Sequence, residues 1–208
     1  MNFRRIENLV LGFFVLIFIY YAVQALVIGD IFRFFVVLIP ALIFSLLSVV
    51  IEYWLKITLP GGVKALVALA LLLHVAGGIN RFYWIFAPYY DKVAHVVSAM
   101  GLFLVIFTFF VGLDYYGIRL KLRTVILATL AMTVIFFVAW EVTEFYIDVF
   151  AKTSYNNGLG DTIGDLISDV IGVALGLIVV GYYRTRIPPG KGIRYLFREN
   201  GQEKPGSS

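Results

Sequence analysis

The chain contains no cysteine, which excludes disulfides, thiolate metal ligands and a cysteine nucleophile. The missing thiols leave the redox compartment open. Charge is scarce too. Only 14% of the 208 residues are charged, where a soluble domain carries about 25%, and 61% are hydrophobic, where a soluble domain has roughly 45–50%. A water-facing surface cannot be built from that composition, so the sequence reads as an integral membrane protein. There is no Walker loop, no G-x-S-x-G elbow, no dinucleotide fingerprint and no nucleic-acid module. The net charge of +4 therefore needs an explanation other than nucleic acid.

Long apolar runs are what the sequence does have. A membrane span needs about 20 mostly apolar residues. Six stretches qualify, near Leu9–Ile28, Phe34–Ile51, Val63–Gly78, Val93–Leu113, Thr124–Phe145 and Ile167–Tyr183. The predicted fold is all-α: a polytopic six-helix transmembrane bundle over residues 1–183, followed by a basic, partly disordered tail over residues 184–208. "RFYWIFAPYY", after the short third run, reads as an interfacial segment of aromatic anchors. Arg4 and Arg5 precede an apolar run as in a signal peptide, but the run is long and no small-x-small site follows, so an uncleaved first span is expected. "AKTSYNNGLG" has the turn residues of an outer loop.

The basic residues set an orientation. With a cytoplasmic N-terminus, Arg4, Arg5, Lys56, Lys64, Arg119, Lys121 and Arg123 lie inside, together with Arg184, Arg186, Lys191, Arg194, Arg198 and Lys204 of the tail. Arg33, Arg81, Lys92 and Lys152 alone lie outside. This asymmetry follows the positive-inside rule and puts both termini in the cytoplasm of a plasma or inner membrane protein. The basic tail is then solvated or touches anionic lipid.

Under that topology, seven of thirteen acids fall at the same outer end, as Asp91 before His95, then Glu141, Glu144 and Asp148, then Asp161, Asp165 and Asp169. Residues three or four apart share a helix face. Each of three helices can therefore offer one polar stripe, and facing stripes would line a shared polar cavity. Several carboxylates cannot share a small dry cavity as bare anions. Lys92, Arg81 and Lys152 are on the right side but too few and too peripheral to balance them. Carboxylate oxygens with one imidazole suit Mg²⁺, Mn²⁺ or Zn²⁺. The acid–base candidates are His95, Glu141 and Glu144, and the metal-ligand candidates are Asp91, Asp161, Asp165 and Asp169.

Simpler readings stand beside these. Asp161 suits an N-cap and Asp165 a first-turn dipole partner. Asp148 suits a solvated helix end, and Glu144 a pair with Lys152 or Arg81. His74, alone in the third run, suits a packing role, although it lies in the outer half. Glu52 and Asp114 read most simply as interfacial. Gly172-x-x-x-Gly176 allows close helix packing and is too common a pattern to specify a dimer.

"YDKVAHVVSAMG" (Tyr90–Gly101), "WEVTEF" (Trp140–Phe145) and "DTIGDLISDVIGVALG" (Asp161–Gly176) together resemble the VanZ-like membrane proteins, and most of all their YjdF-type inner-membrane branch. Asp91, Lys92 and His95 match an Asp-Lys/Arg-x-x-His piece. Trp140, Glu141 and Glu144 match Trp-Glu-x-x-Glu, and Asp161, Thr162 and Asp165 match Asp-Thr-x-x-Asp. Val96 departs from the pattern, where an aromatic is expected. The resemblance covers the second half of the chain and implies a small polytopic protein without supplying a reaction.

Three functions fit these features. A metal at the outer site could assist hydrolysis or transfer on a membrane lipid or lipid-linked substrate. The acids could instead hold the bundle of a non-enzymatic accessory or lipid-binding protein, or relay protons or cations in a transporter. The nearly apolar inner halves "GLFLVIFTFF" and "ILATLAMTVIFF" disfavour a through-path, and the metal-assisted reading ranks first.

Overall fold

The computed structural model describes residues 3–31, 33–151 and 157–197, and these are helical with no strand among them. Helix α1 spans Phe3–Val27. A π-helical segment, Arg33–Leu38, runs into α2, Ile39–Leu55, with Pro40 in its first turn, where a missing N–H does no harm. Helix α3 is Val63–Ile79, and the short α4 is Phe82–Ile85. Three long helices follow: α5 (Tyr89–Tyr115), α6 (Leu122–Ala151) and α7 (Leu159–Thr185). A 3-10 turn at Ile193–Phe197 ends the described chain. Lys152, Arg198, Lys204 and half of the "AKTSYNNGLG" stretch, residues 152–156, lie outside the described residues.

Among the described residues, five helical segments are long and apolar enough to cross a bilayer. Their outward faces carry exposed Leu, Ile, Val and Phe, such as Leu16, Phe109, Ile135 and Ile178. In water these would be a liability; in lipid they are the expected outer surface. The chain is a multi-pass membrane protein. Helix α3, with 17 residues, is about 25 Å long at 1.5 Å per residue, less than the ~30 Å hydrocarbon layer. It packs on α1, α2 and α5.

Helix α5 organises the core. Phe103, Phe107 and Val111 meet Val125 and Phe137 of α6 and Val173 and Val180 of α7. A second cluster joins Phe18 and Ala22 of α1 to Ala41 and Val75. Two glycines set the approach of α7 to α5. A β-carbon at Gly172 would lie 2.3 Å from the Val96 carbonyl oxygen, and one at Gly176 2.6 Å from Phe103 Cδ1. The small-residue pattern thus serves packing within the chain.

The helices outrun their apolar segments. Helix α7 begins at Leu159 and α5 at Tyr89, so their acids lie inside the helices. Asp161 is not the N-cap; Gly158 is, with φ 97°. The aromatic segment after α3 folds into α4 and a turn, leaving Trp84, Ile85 and Phe86 exposed.

Glu52 and Asp114 correct the expectation that they are merely interfacial, because both are buried. Lys64, 1% exposed, donates to Glu52 Oε2 (2.7 Å) and Asn8 Oδ1 (2.9 Å). Glu52 Oε1 accepts from Leu59 N (2.9 Å), and Glu7 Oε1 accepts from Gly62 N (2.8 Å) and Lys64 N (3.2 Å). Tyr183 donates to the Gly61 carbonyl (2.7 Å). Asp114 accepts from Leu120 N (3.2 Å) and Arg194 N (3.3 Å), which docks the Ile193–Phe197 turn on α5. These bonds bring the start of α1, the end of α2, the start of α3 and the end of α7 to one end of the bundle. The turn after α7 is fixed there rather than free, with Ile193 and Phe197 buried.

Candidate functional site

At the opposite end, α5, α6 and α7 bring their acids together. Asp91, Lys92 and His95 occupy the first two turns of α5. Asp161, Asp165 and Asp169 climb one side of α7, and Glu141 and Glu144 come from the second half of α6. The i, i+4 and i, i+3 spacings place each set on one face.

Lys92 is the hub. Its Nζ donates to Asp161 Oδ1 (2.5 Å) and Asp165 Oδ1 (2.7 Å) and reaches Asp91 Oδ2 at 3.3 Å. This overturns its reading as too peripheral. Its stem passes over Gly164, where a β-carbon would stand 3.0 Å from Lys92 Cε. Asp161 Oδ2 also accepts from Asn157, through its backbone N–H (3.1 Å) and its side-chain amide (3.2 Å).

His95 is buried and held from both sides. Its Nδ1 lies 3.1 Å from Asp169 Oδ1, while Nε2 lies 3.5 Å from Asp165 Oδ1 and 3.8 Å from Asp91 Oδ1. An ionised carboxylate only accepts hydrogen bonds. A proton on Nδ1 is therefore fixed toward Asp169, which turns Nε2 toward the other acids.

Glu141 stands out. It is 6% exposed, and neither carboxylate oxygen has a hydrogen-bond partner. The Thr162 hydroxyl of α7 lies beside it and is its nearest donor. Buried polar groups are nearly always paired, so an orphaned carboxylate indicates either strain or a missing ligand. His95, Glu141 and Glu144 each offer one ligand atom, all within 4.8 Å of one another, and so do Asp91, His95 and Asp165. Either group could hold a metal ion. His95 belongs to both. Asp165 Oδ1 is already engaged by Lys92, so the group containing Glu141 has the freer donors.

The remaining candidates divide clearly. Asp161 and Asp169 fall outside both groupings; the first neutralises Lys92, and the second holds the far nitrogen of His95. Asp148 is outside them as well. Arg81 lies over the Trp84 ring, 5.8 Å from its centroid. His74 is a packing residue, its ring nitrogens 2.6 Å from Tyr83 Oη and 2.9 Å from Ser98 Oγ. Sequence reasoning missed the buried Lys64–Glu52 pair at the other end. Its signal was a lysine in the first turn of an apolar helix, with a glutamate at the end of the one before.

No curated protein and no solved structure matches the chain. A family model described as predicted membrane protein (DUF2238) matches residues 6–186, from the first turn of α1 past the end of α7 and through every member of the acidic cluster, and the chain belongs to that family.

Proposed function

We propose that the cluster on α5, α6 and α7 holds one divalent cation, Mg²⁺, Mn²⁺ or Zn²⁺, and that the protein carries out metal-assisted hydrolysis or transfer on a lipid-linked substrate. The observation that carries this is Glu141, a buried carboxylate short of hydrogen-bond donors, with Thr162 beside it and set against His95 and Glu144. Around it stand Asp91, Asp161, Asp165, Asp169 and Glu144, with Lys92 and His95 as the basic groups, so negative charge is in excess. A bound divalent cation supplies Lewis-acid polarisation of a phosphoryl or acyl oxygen and a more acidic water. His95, Glu141 and Glu144 are its first ligands in this reading, with Asp91 and Asp165 adjoining. Asp169 sets the tautomer and direction of His95, as carboxylates behind metal-binding imidazoles do. Lys92, partly exposed, is placed to meet an anionic group arriving from the aqueous side.

The same reading includes six spans, α3 being the sixth, with both termini in the cytoplasm and the cluster at the outer face. The positive-inside asymmetry supports that orientation. It also treats the family as a branch of the VanZ-like, YjdF-type proteins. The three sequence pieces behind that resemblance support it, since they supply the residues that converge here.

A non-enzymatic accessory role is the second reading, favoured by Lys92, whose bonds to three aspartates give part of the cluster a structural purpose. A conduit has less support: below the site, the α5–α7 seam is filled by Phe103, Phe107, Val173 and Val180.

Elemental analysis of purified protein, equilibrated with Mg²⁺, Mn²⁺ and Zn²⁺ in turn, tests the proposal. One equivalent of one metal is expected, lost by at least about tenfold in affinity in Glu141→Gln and retained in Asp161→Asn. A folded wild-type protein that binds none of the three overturns it.

A further inference from the structure

A second site lies at the other end of the bundle, independent of the acidic cluster. Between α1 and α2 a groove of about 1010 Å³ opens on the perimeter. That is at the top of the roughly 300–1,000 Å³ range of small-molecule pockets. Its walls are apolar, with Leu11 and Gly12 on α1 and Val49 on α2, and its mouth is polar, with Asn8 and Lys56. Both helices are long and apolar enough to cross a membrane. At the depth of the walls, a perimeter groove meets acyl chains and nothing else.

The mouth specifies the headgroup. Arg5 is exposed and lies three residues before Asn8, so helical spacing sets it one turn beyond the groove lining on the same side of α1. Lys56 is exposed and ends α2 in the left-handed conformation, at φ 51°. Glu52, the acid in the groove lining, is already neutralised by Lys64 and bonded by Leu59 N. Asn8 accepts from Lys64 through Oδ1, which orients its amide nitrogen as a donor. Trp54, 78% exposed, lines the mouth at the level where aromatic belts form. Two cations and an amide donor over an apolar slot match an anionic phosphate joined to an acyl chain.

We propose that the α1–α2 groove binds an anionic glycerophospholipid, one acyl chain between the helices and its phosphate between Arg5, Asn8 and Lys56. Gly12 gives a clean probe. A β-carbon there meets nothing within 4 Å, so a side chain at this position starts in open space beside the slot.

The test is native mass spectrometry of the full chain in detergent, titrated separately with phosphatidylglycerol and phosphatidylcholine. One phosphatidylglycerol is expected to bind more tightly than phosphatidylcholine. Arg5→Gln and Lys56→Gln are each expected to weaken phosphatidylglycerol by about fivefold, the equivalent of roughly 1 kcal/mol per basic side chain at an anionic surface, and to leave phosphatidylcholine unchanged. Gly12→Leu is expected to abolish the bound lipid while the melting temperature holds. Equal affinity for the two lipids, indifference to both charge variants, or full binding by a folded Gly12→Leu protein overturns the proposal.

Discussion

A single ammonium, Lys92 Nζ, answers three aspartates within 3.3 Å, and Asp165 among them is almost fully buried. Removing one partner of such a pair leaves the other desolvated and unpaired, which costs about 1–3 kcal/mol. Lys92→Met is therefore expected to lower thermal stability in detergent by that amount, and adding Asp165→Asn to recover part of the loss. Additive losses in the double variant would mean that the two side chains do not couple. Asp169 acts differently, through the direction it gives His95. Asp169→Asn keeps the shape of the side chain and removes the carboxylate. It is expected to reduce metal affinity about 10–100-fold, as losses behind a liganding imidazole do, with little change in melting temperature. Titration with Mn²⁺ followed by electron paramagnetic resonance measures this directly, and unchanged affinity removes Asp169 from the site.

At the scale of helices, the apolar runs made the elements legible because a bilayer demands length and hydrophobicity, and little else satisfies both. The ends were not legible. Asp161 and Asp165 interrupt hydropathy but not the helix, since carboxylates near a helix start suit its dipole and here find Lys92. That the acids of α5, α6 and α7 share one level followed from spacing and topology, and His95 with Glu141 and Glu144 emerged from it. Lys92 was misjudged because its reach depends on Gly164 leaving room for the stem, a tertiary fact. The glycines of α7 show the same limit: their spacing announces a close neighbour without naming α5. Gly172→Ala drives a β-carbon into the Val96 backbone carbonyl. It is expected to destabilise by about 1–3 kcal/mol, as overpacking does. Gly181→Ala, on the same helix with open space around it, is expected to gain up to about 1 kcal/mol from helix propensity. Melting curves of the two variants in one detergent separate packing from propensity, and equal shifts would mean that α7 does not lie this close to α5.

For the molecule as a whole, charge is confined to two ends, and the middle holds apolar side chains with a few buried hydroxyls such as Thr129 and Thr133. One end is closed by Lys64, Glu52, Glu7 and Asp114, each with its partner. The other holds the acids of α5, α6 and α7, where Glu141 is short of donors. A site at one face acts on what that face meets, so the side of the membrane decides which substrates are available. The missing cysteines make orientation directly measurable, because any introduced thiol is the only one. Ile118, between α5 and α6, and Leu159, at the start of α7, are both exposed and lie at opposite ends of the bundle. A membrane-impermeant maleimide applied to intact cells is expected to label Leu159→Cys at once and Ile118→Cys only after lysis. The reverse pattern would turn the acidic cluster to the cytoplasm and the basic residues outward. The lipid-linked substrate would then be drawn from the inner leaflet, and the α1–α2 groove would face outer-leaflet lipid.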